Sequence, residues 1–340
     1  MEPMQAVRIV YGPTGGRYPM MFGIAEALEK KLLDLGVRIF DRVGISGGAI
    51  VAAARSSGEE PQSFLRRCAE ATSNMNLWGT NTPRSVWNLV RHGGFLNSSK
   101  IIENVFERVV QRTPSEPCYA ISWCRSSEKP VCFPLQNDPH FAKYLCASAA
   151  VPIAFSPVKI DNRDLPEQVR DQLGVGLGGF STFQDGGLCE VFPRDLIGGP
   201  TVPTIMVFID PIPFNKQELL NQKPDLWVTI FGIKNKANAL AFAARQKPMV
   251  QLFVVPQLEC FEEYRLRFHG DLKSSVNMYV HGKVMTEHSF KLFLSLPKQL
   301  DTQDEQGEDY TKYGLGLEQA LAEIIPSEDG EHEIGQAVGE

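Results

Sequence analysis

The sequence predicts an α/β protein with a mostly parallel central sheet, and three observations carry that prediction. The β-rich run Ala6 to Tyr11 leads at once into the turn Gly12-Pro13-Thr14-Gly15-Gly16 and then into a helical pattern. The run Ile39 to Val43 repeats that order through Gly44-Ile45-Ser46-Gly47-Gly48 and the small, apolar stretch Ala49 to Ala54. Two further buried-strand patterns, Val202 to Asp210 and Met249 to Val255, flank a helical stretch from about Asp225 to Arg245. Strands alternating with helices through tight turns are the signature of parallel strands joined by helical crossovers.

Each element has a local reason. In the first helix Met21, Ile24, Leu28, Leu32 and Leu35 recur every three or four positions, and Gly36 ends the pattern. Ala49 to Ala54 reads as a helix buried on all sides. Residues 72–97, with Trp78, Trp87 and Phe95 among several Asn, Thr and Gly, read as a looser excursion. Cys118 to Cys124 and Lys129 to Leu135 resemble two strands joined by the polar turn Arg125-Ser126-Ser127-Glu128. The end of the chain is different. Residues 301–340 hold 12 acidic residues and a single basic one, Lys312, for a net −11, so the first 300 residues carry +5 within the overall −6. Such a block reads as a flexible, solvated acidic tail, with one short helix at Leu317 to Ile325.

Composition narrows the function classes. Of the 340 residues 43% are hydrophobic and 22% charged, enough apolar surface for a sizeable core. The longest uncharged runs, Tyr144 to Val158 and Leu196 to Ile209, both contain proline and fall short of the roughly 18 residues a spanning helix needs. The N-terminal MEPMQAVRIVYG has no basic region followed by a long apolar stretch, so no secretory signal is expected. Seven cysteines without paired spacing read as reduced thiols of a cytoplasmic protein, and no metal site is expected from them. The body lacks a dense Lys/Arg stripe, which argues against a nucleic-acid partner.

Three short motifs carry chemistry. Gly44-Ile45-Ser46-Gly47-Gly48 fits G-x-S-x-G, in which a serine projects from a sharp strand-to-helix turn and the glycines permit close approach of neighbouring backbone. The pattern alone is common in α/β proteins; here a strand precedes it and a helix follows. Gly15-Gly16-Arg17 opens the first helix, where adjacent amides form an anion site suited to a developing oxyanion. A nucleotide-binding loop is disfavoured there, because neither G-x-x-x-x-G-K-[ST] nor G-x-G-x-x-G is present. Asp185-Gly186-Gly187 read alone is a turn. Alongside a serine elbow, however, an aspartate within hydrogen-bond reach can take the serine proton, and none of the six histidines has a recognisable triad context.

The order of glycine loop, G-x-S-x-G and D-G-G resembles the patatin-like phospholipase family. Ala147-Ser148-Ala149-Ala150-Val151-Pro152, followed by Phe155 and Pro157-Val158, is similar to that family's ASAAxP…F.PV segment, and Gln184 to Pro193 to its DGG…N.P region. The resemblance covers roughly residues 6–215. It implies a three-layer α/β/α fold with a mostly parallel sheet, a lipid acyl hydrolase domain over 1–300 with a C-terminal elaboration at 216–300, and the tail at 301–340. It further implies a Ser-Asp dyad with Ser46 as nucleophile and Asp185 as base, framed by Gly44, Gly47 and Gly48 at the elbow and by Gly186 and Gly187. Gly15, Gly16 and Arg17 are then the oxyanion element, and neither cofactor nor metal is implied. The resemblance implies a phospholipid or other acyl-ester lipid at a membrane surface as substrate, and the expected location is cytoplasmic, with room for peripheral membrane association.

One departure stands out. Aligning Arg17 with the family's basic residue puts Pro13 and Thr14 where two glycines are expected, and proline has no N–H to donate. Either the donors are Thr14, Gly15 and Gly16 in a shifted arrangement, or the hole is incomplete until another factor reshapes it. Control by a partner, a ligand or homo-oligomerisation is expected, since unrestrained hydrolysis damages membranes. Rival readings are an enzyme or acyltransferase on lysophospholipid or neutral lipid esters, and a non-catalytic binding protein of the same fold. For the membrane contact the candidates are Leu226-Trp227-Val228, Ile230-Phe231 and Ile233 with Lys234, Lys236, Arg245 and Lys247, and in rivalry Trp78, Trp87 and Phe95.

Overall fold

In the computed structural model, which describes residues 6–73, 94–96, 106–189, 197, 202–209, 250–255 and 271–295, strand β1 (Ala6–Tyr11) is buried on both faces from Val7 onward. Such a strand needs helices on both sides, and its run of Val, Ile and Tyr supplies the apolar surface. Helix α1 (Tyr18–Asp34) follows, and the chain leaves it through Gly36 at φ +74°, a conformation that glycine adopts without strain. Strand β2 (Arg38–Ile45) is longer than the predicted Ile39 to Val43, because Arg38 pairs with Ala6 at one end and Gly44 with Tyr11 and Ile45 with Ile121 at the other. Helix α2 (Gly47–Ser56) likewise extends the predicted stretch at both ends, and α3 (Pro61–Ser73) completes the first half.

The second half turns the sheet antiparallel at one edge. Strands β3 (Cys118–Cys124) and β4 (Lys129–Pro134) form the predicted hairpin. Helix α4 (Phe141–Ala149), β5 (Val158–Asp161), α5 (Glu167–Leu173) and β6 (Phe180–Asp185) then precede β7 (Thr204–Phe208), β8 (Val250–Val254) and α6 (Leu272–Ser295). Among the described residues the sheet has eight strands in the order β8-β7-β1-β2-β3-β6-β5, with β4 on the other edge of β3. The strands from β8 to β3 run parallel, whereas β4, β6 and β5 join by antiparallel pairing. A mostly parallel sheet flanked by helices is the expected α/β/α architecture. Separately, Gly94–Leu96 and Ile153–Phe155 pair as a two-stranded parallel sheet.

One face of the sheet is closed by Val10, Val43, Ile45, Ile121, Met206 and Phe208. On the flank, α1 and α6 cross so closely that a Cβ on Gly23 would meet the Tyr279 carbonyl oxygen at 2.1 Å, and one on Gly282 the Met20 carbonyl at 2.3 Å. The chain divides into two units, Met1–Leu296 and Pro297–Glu340. The acidic tail, the helical stretch from Asp225 to Arg245, the interfacial candidates at 226–247, Trp78 and Trp87 all lie outside the described residues. Among the described residues no helix is long and apolar enough to cross a membrane.

Candidate active site

The register of the sheet sets the site. Strand β2 pairs with the first half of β3, Ile45 opposite Ile121, and β6 pairs with the second half, Asp185 opposite Ser122. Because β4 occupies the other edge of β3, β2 and β6 share one edge end to end. Residues 139 positions apart thereby meet: the Ser46 hydroxyl donates to Asp185 Oδ2 at 2.7 Å.

The elbow that projects Ser46 is strained and tightly packed. Ser46 sits at φ 56°, ψ −128°, a region that non-glycine residues rarely adopt. A Cβ on Gly44 would fall 2.2 Å from Ala49 Cα, one on Gly47 2.2 Å from Thr14 Oγ1, and one on Gly48 2.4 Å from the Tyr11 carbonyl oxygen. All three glycines are therefore needed for space, as the motif implies. The strained turn is held from below. The Ser46 amide donates to Ser148 Oγ at 3.1 Å, and the Ser148 hydroxyl donates to the Ile121 carbonyl at 2.6 Å. Ser148 belongs to the alanine-rich segment Ala147 to Pro152, and nothing local in the sequence links it to Ser46.

Asp185 is completely buried and oriented by its own motif. Its Oδ1 accepts the Gly187 amide at 2.6 Å, and its backbone amide donates to the Ala150 carbonyl at 3.0 Å. Gly186 lies against Ile121, where a Cβ would sit 2.1 Å from the carbonyl oxygen. Burial lifts the Asp185 pKa to about 7, although the hydrogen bonds from Ser46 and Gly187 pull the other way. Among the described residues no histidine hydrogen-bonds to either side chain.

The glycine loop lies against the elbow. Gly15 takes φ +58°, whereas Thr14 has φ −118°, ψ −17°, which any residue tolerates. The left-handed conformation that favours glycine falls on position 15, and Thr14 in place of a glycine sits in an ordinary conformation. The Arg17 amide is turned inward to the Thr14 carbonyl, and its Nε donates to the same oxygen at 3.1 Å. Arg17 braces the loop. The amides of Gly15 and Gly16 donate to no acceptor among the described residues, and those of Gly47 and Gly48 occupy the first turn of α2, where helical acceptors are lacking.

A second buried polar cluster ties together the elements that carry these groups. Glu29 of α1 accepts from the Tyr11 hydroxyl at 2.6 Å, from Arg42 Nε at 2.8 Å and from Arg55 Nη2 at 2.9 Å. Burial alone would raise the Glu29 pKa, but hydrogen bonds and charge from Arg42 and Arg55 outweigh it and hold the carboxyl below its ordinary value. The six described cysteines form no disulfide among themselves and are buried, and burial pushes the Cys118 thiol up to about 12. No cluster of metal-ligating side chains occurs among the described residues.

The family model for patatin-like phospholipases matches residues 14–196, more than half of the chain. No curated protein sequence matches significantly. Among solved structures the chain is similar to VipD from Legionella pneumophila, at 10% identity and a TM-score of 0.40, covering 85% of this chain and 67% of that one. It is also similar to the ExoU–SpcU complex of the type III secretion system of Pseudomonas aeruginosa, at 13% identity and a TM-score of 0.30, covering 96% of this chain and 64% of that one.

Proposed function

The chain belongs to the patatin-like phospholipase family, a family of lipid hydrolases, and from that premise we propose that it cleaves fatty-acyl ester bonds of phospholipids through an acyl-Ser46 intermediate. The observation that supports this reading is the 2.7 Å hydrogen bond from Ser46 on a strained elbow to a buried carboxylate. Attack of Ser46 Oγ on the ester carbonyl passes its proton to Asp185. The negative charge that develops on the carbonyl oxygen is met by the amides of the Gly15–Gly16 loop and of Gly47. Collapse expels the lysolipid alkoxide, which recovers the proton from Asp185. Water then attacks the acyl-serine with Asp185 again as base, releasing the fatty acid. A base with a pKa near 7 suits both directions of transfer at neutral pH.

Six buried cysteines that form no disulfide among the described residues fit a reducing compartment, so the working place is the cytoplasmic face of a membrane. The test is fatty-acid release from mixed phospholipid vesicles without calcium, comparing wild type, Ser46→Ala and Asp185→Asn. Release by wild type should vanish in both variants, and a fluorophosphonate should label wild type but not Ser46→Ala. Release that survives in Ser46→Ala would overturn the assignment. So would a wild-type protein that neither releases fatty acid nor takes the label.

A further inference from the structure

We propose that the glycine-rich tip between α5 and β6, carrying Leu177 and Phe180, docks the protein on an anionic lipid surface; the inference rests on the reading of the chain as a lipid hydrolase. Leu177 is 60% exposed and Phe180 57%, the two most exposed large apolar side chains of the antiparallel edge among the described residues. Exposed apolar side chains at a held tip are unfavourable in water and mark a contact surface. The tip is held. Asn162, itself buried, donates its side-chain amide to the Gly176 and Gly178 carbonyls at 3.1 and 3.0 Å and its backbone amide to the Gly179 carbonyl at 3.0 Å. It also accepts from the Ser181 hydroxyl at 2.8 Å.

Position favours a role in approach to substrate. Phe183 pairs with Cys124, the last residue of β3, so Phe180 projects three residues past the carboxyl end of the parallel strands. That is the end at which β2 delivers Ser46. Five strand steps separate Phe180 from Asp185, a rise of about 17 Å. The chemistry of the surroundings selects the partner. Lys159 Nζ lies 4.4 Å from the centre of the Phe180 ring. The adjoining hairpin is fastened by the Arg125 amide to the Thr182 carbonyl at 2.7 Å, and it exposes Arg125 and Lys129 with one carboxylate, Glu128. Asp161, opposite Phe180, is already paired with Arg163 at 2.6 Å.

Two apolar side chains on bare glycine backbone make a wedge too narrow for a protein interface of roughly 800 Å² per partner. A wedge with cations behind it suits the acyl boundary and anionic headgroups of a bilayer.

The experiment uses the full chain carrying Ser46→Ala, which separates binding from hydrolysis. Partition is measured by co-sedimentation with phosphatidylcholine vesicles, with and without phosphatidylserine. Adding Leu177→Ser and Phe180→Ser should lower partition at least about tenfold, and Lys159→Gln should lower it only when phosphatidylserine is present. With Ser46 intact, the Leu177→Ser/Phe180→Ser variant should hydrolyse a soluble short-chain ester within about twofold of wild type. Unchanged partition of the double variant overturns the proposal, as does a parallel fall in soluble-ester turnover, which would make the tip a support of the site. Lost partition in a protein whose wild type hydrolyses no ester would leave docking standing and overturn the enzymatic reading alone.

Discussion

Asp185 and Glu29 are both fully buried carboxylates, yet their surroundings drive them in opposite directions. Glu29 faces two guanidiniums and a phenol, and its pKa falls below the ordinary carboxylate value. Asp185 faces only neutral donors, the Ser46 hydroxyl and the Gly187 amide, and its pKa rises to about 7. Burial raises both; only the local charge differs. A carboxylate already saturated by cations has no appetite for a proton and serves as a joint between β1, α1, β2 and α2. A carboxylate with its charge uncompensated is poised to accept one.

The sharpest way to break the comparison is the same isosteric change at both sites. Glu29→Gln removes the shared counter-charge of the buried Arg42 and the half-buried Arg55, leaving Arg42 only the exposed Glu116, and should lose about 3 kcal/mol of stability, read by urea denaturation. Asp185→Asn removes an uncompensated charge instead. The folded pKa of Asp185 lies above the unfolded value, so its penalty on the wild type is absent at low pH and grows as pH rises from about 4 to about 7. The variant should therefore gain on the wild type progressively across that window. A loss of stability in Asp185→Asn at pH 8 comparable to that of Glu29→Gln would remove the distinction.

The middle-sized effects concern turnover. Ser148→Ala frees the Ser46 amide from its buried partner and should lower kcat about 10- to 100-fold with KM nearly unchanged, with partial recovery in Ser148→Thr. A matching rise in KM would point to a wider collapse of the pocket. The pH profile should follow the base: kcat/KM falls about tenfold per pH unit below pH 7 and levels off above it. A profile flat down to pH 5 would mean that Asp185 titrates as an ordinary carboxylate. Smallest of all, Tyr11→Phe removes one neutral donor from Glu29 while both arginines remain, and should cost about 1 kcal/mol with the pH profile unmoved.

Much of the site was legible because its determinants are local. A serine between glycines at the end of a strand can only be an elbow of this kind if the glycines leave room, and Gly44, Gly47 and Gly48 do so against Ala49, Thr14 and Tyr11. The glycine loop was legible in place but not in detail. Residue names left open whether Pro13 and Thr14 shift the donors or leave the hole incomplete, whereas the left-handed backbone of the turn falls on Gly15, where φ is +58°. Ser148 and Glu29 were not legible as parts of the site. Glu29 adjoins Leu28 in an amphipathic pattern and reads as a solvent-facing charge, and its partners come from positions 11, 42 and 55.

By itself the sequence determined the order of strands, turns and helices from β1 to α2, the β3–β4 hairpin, and the backbone strain at Ser46. Periodicity and glycine placement act over a few residues and need no knowledge of distant chain. Tertiary structure alone decided that Asp185 reaches Ser46, through the end-to-end sharing of one β3 edge by β2 and β6. It alone also decided that Glu29 sits among cations and Asp185 among neutral donors, because desolvation and Coulomb interaction depend on what surrounds a group in space, not on its neighbours along the chain.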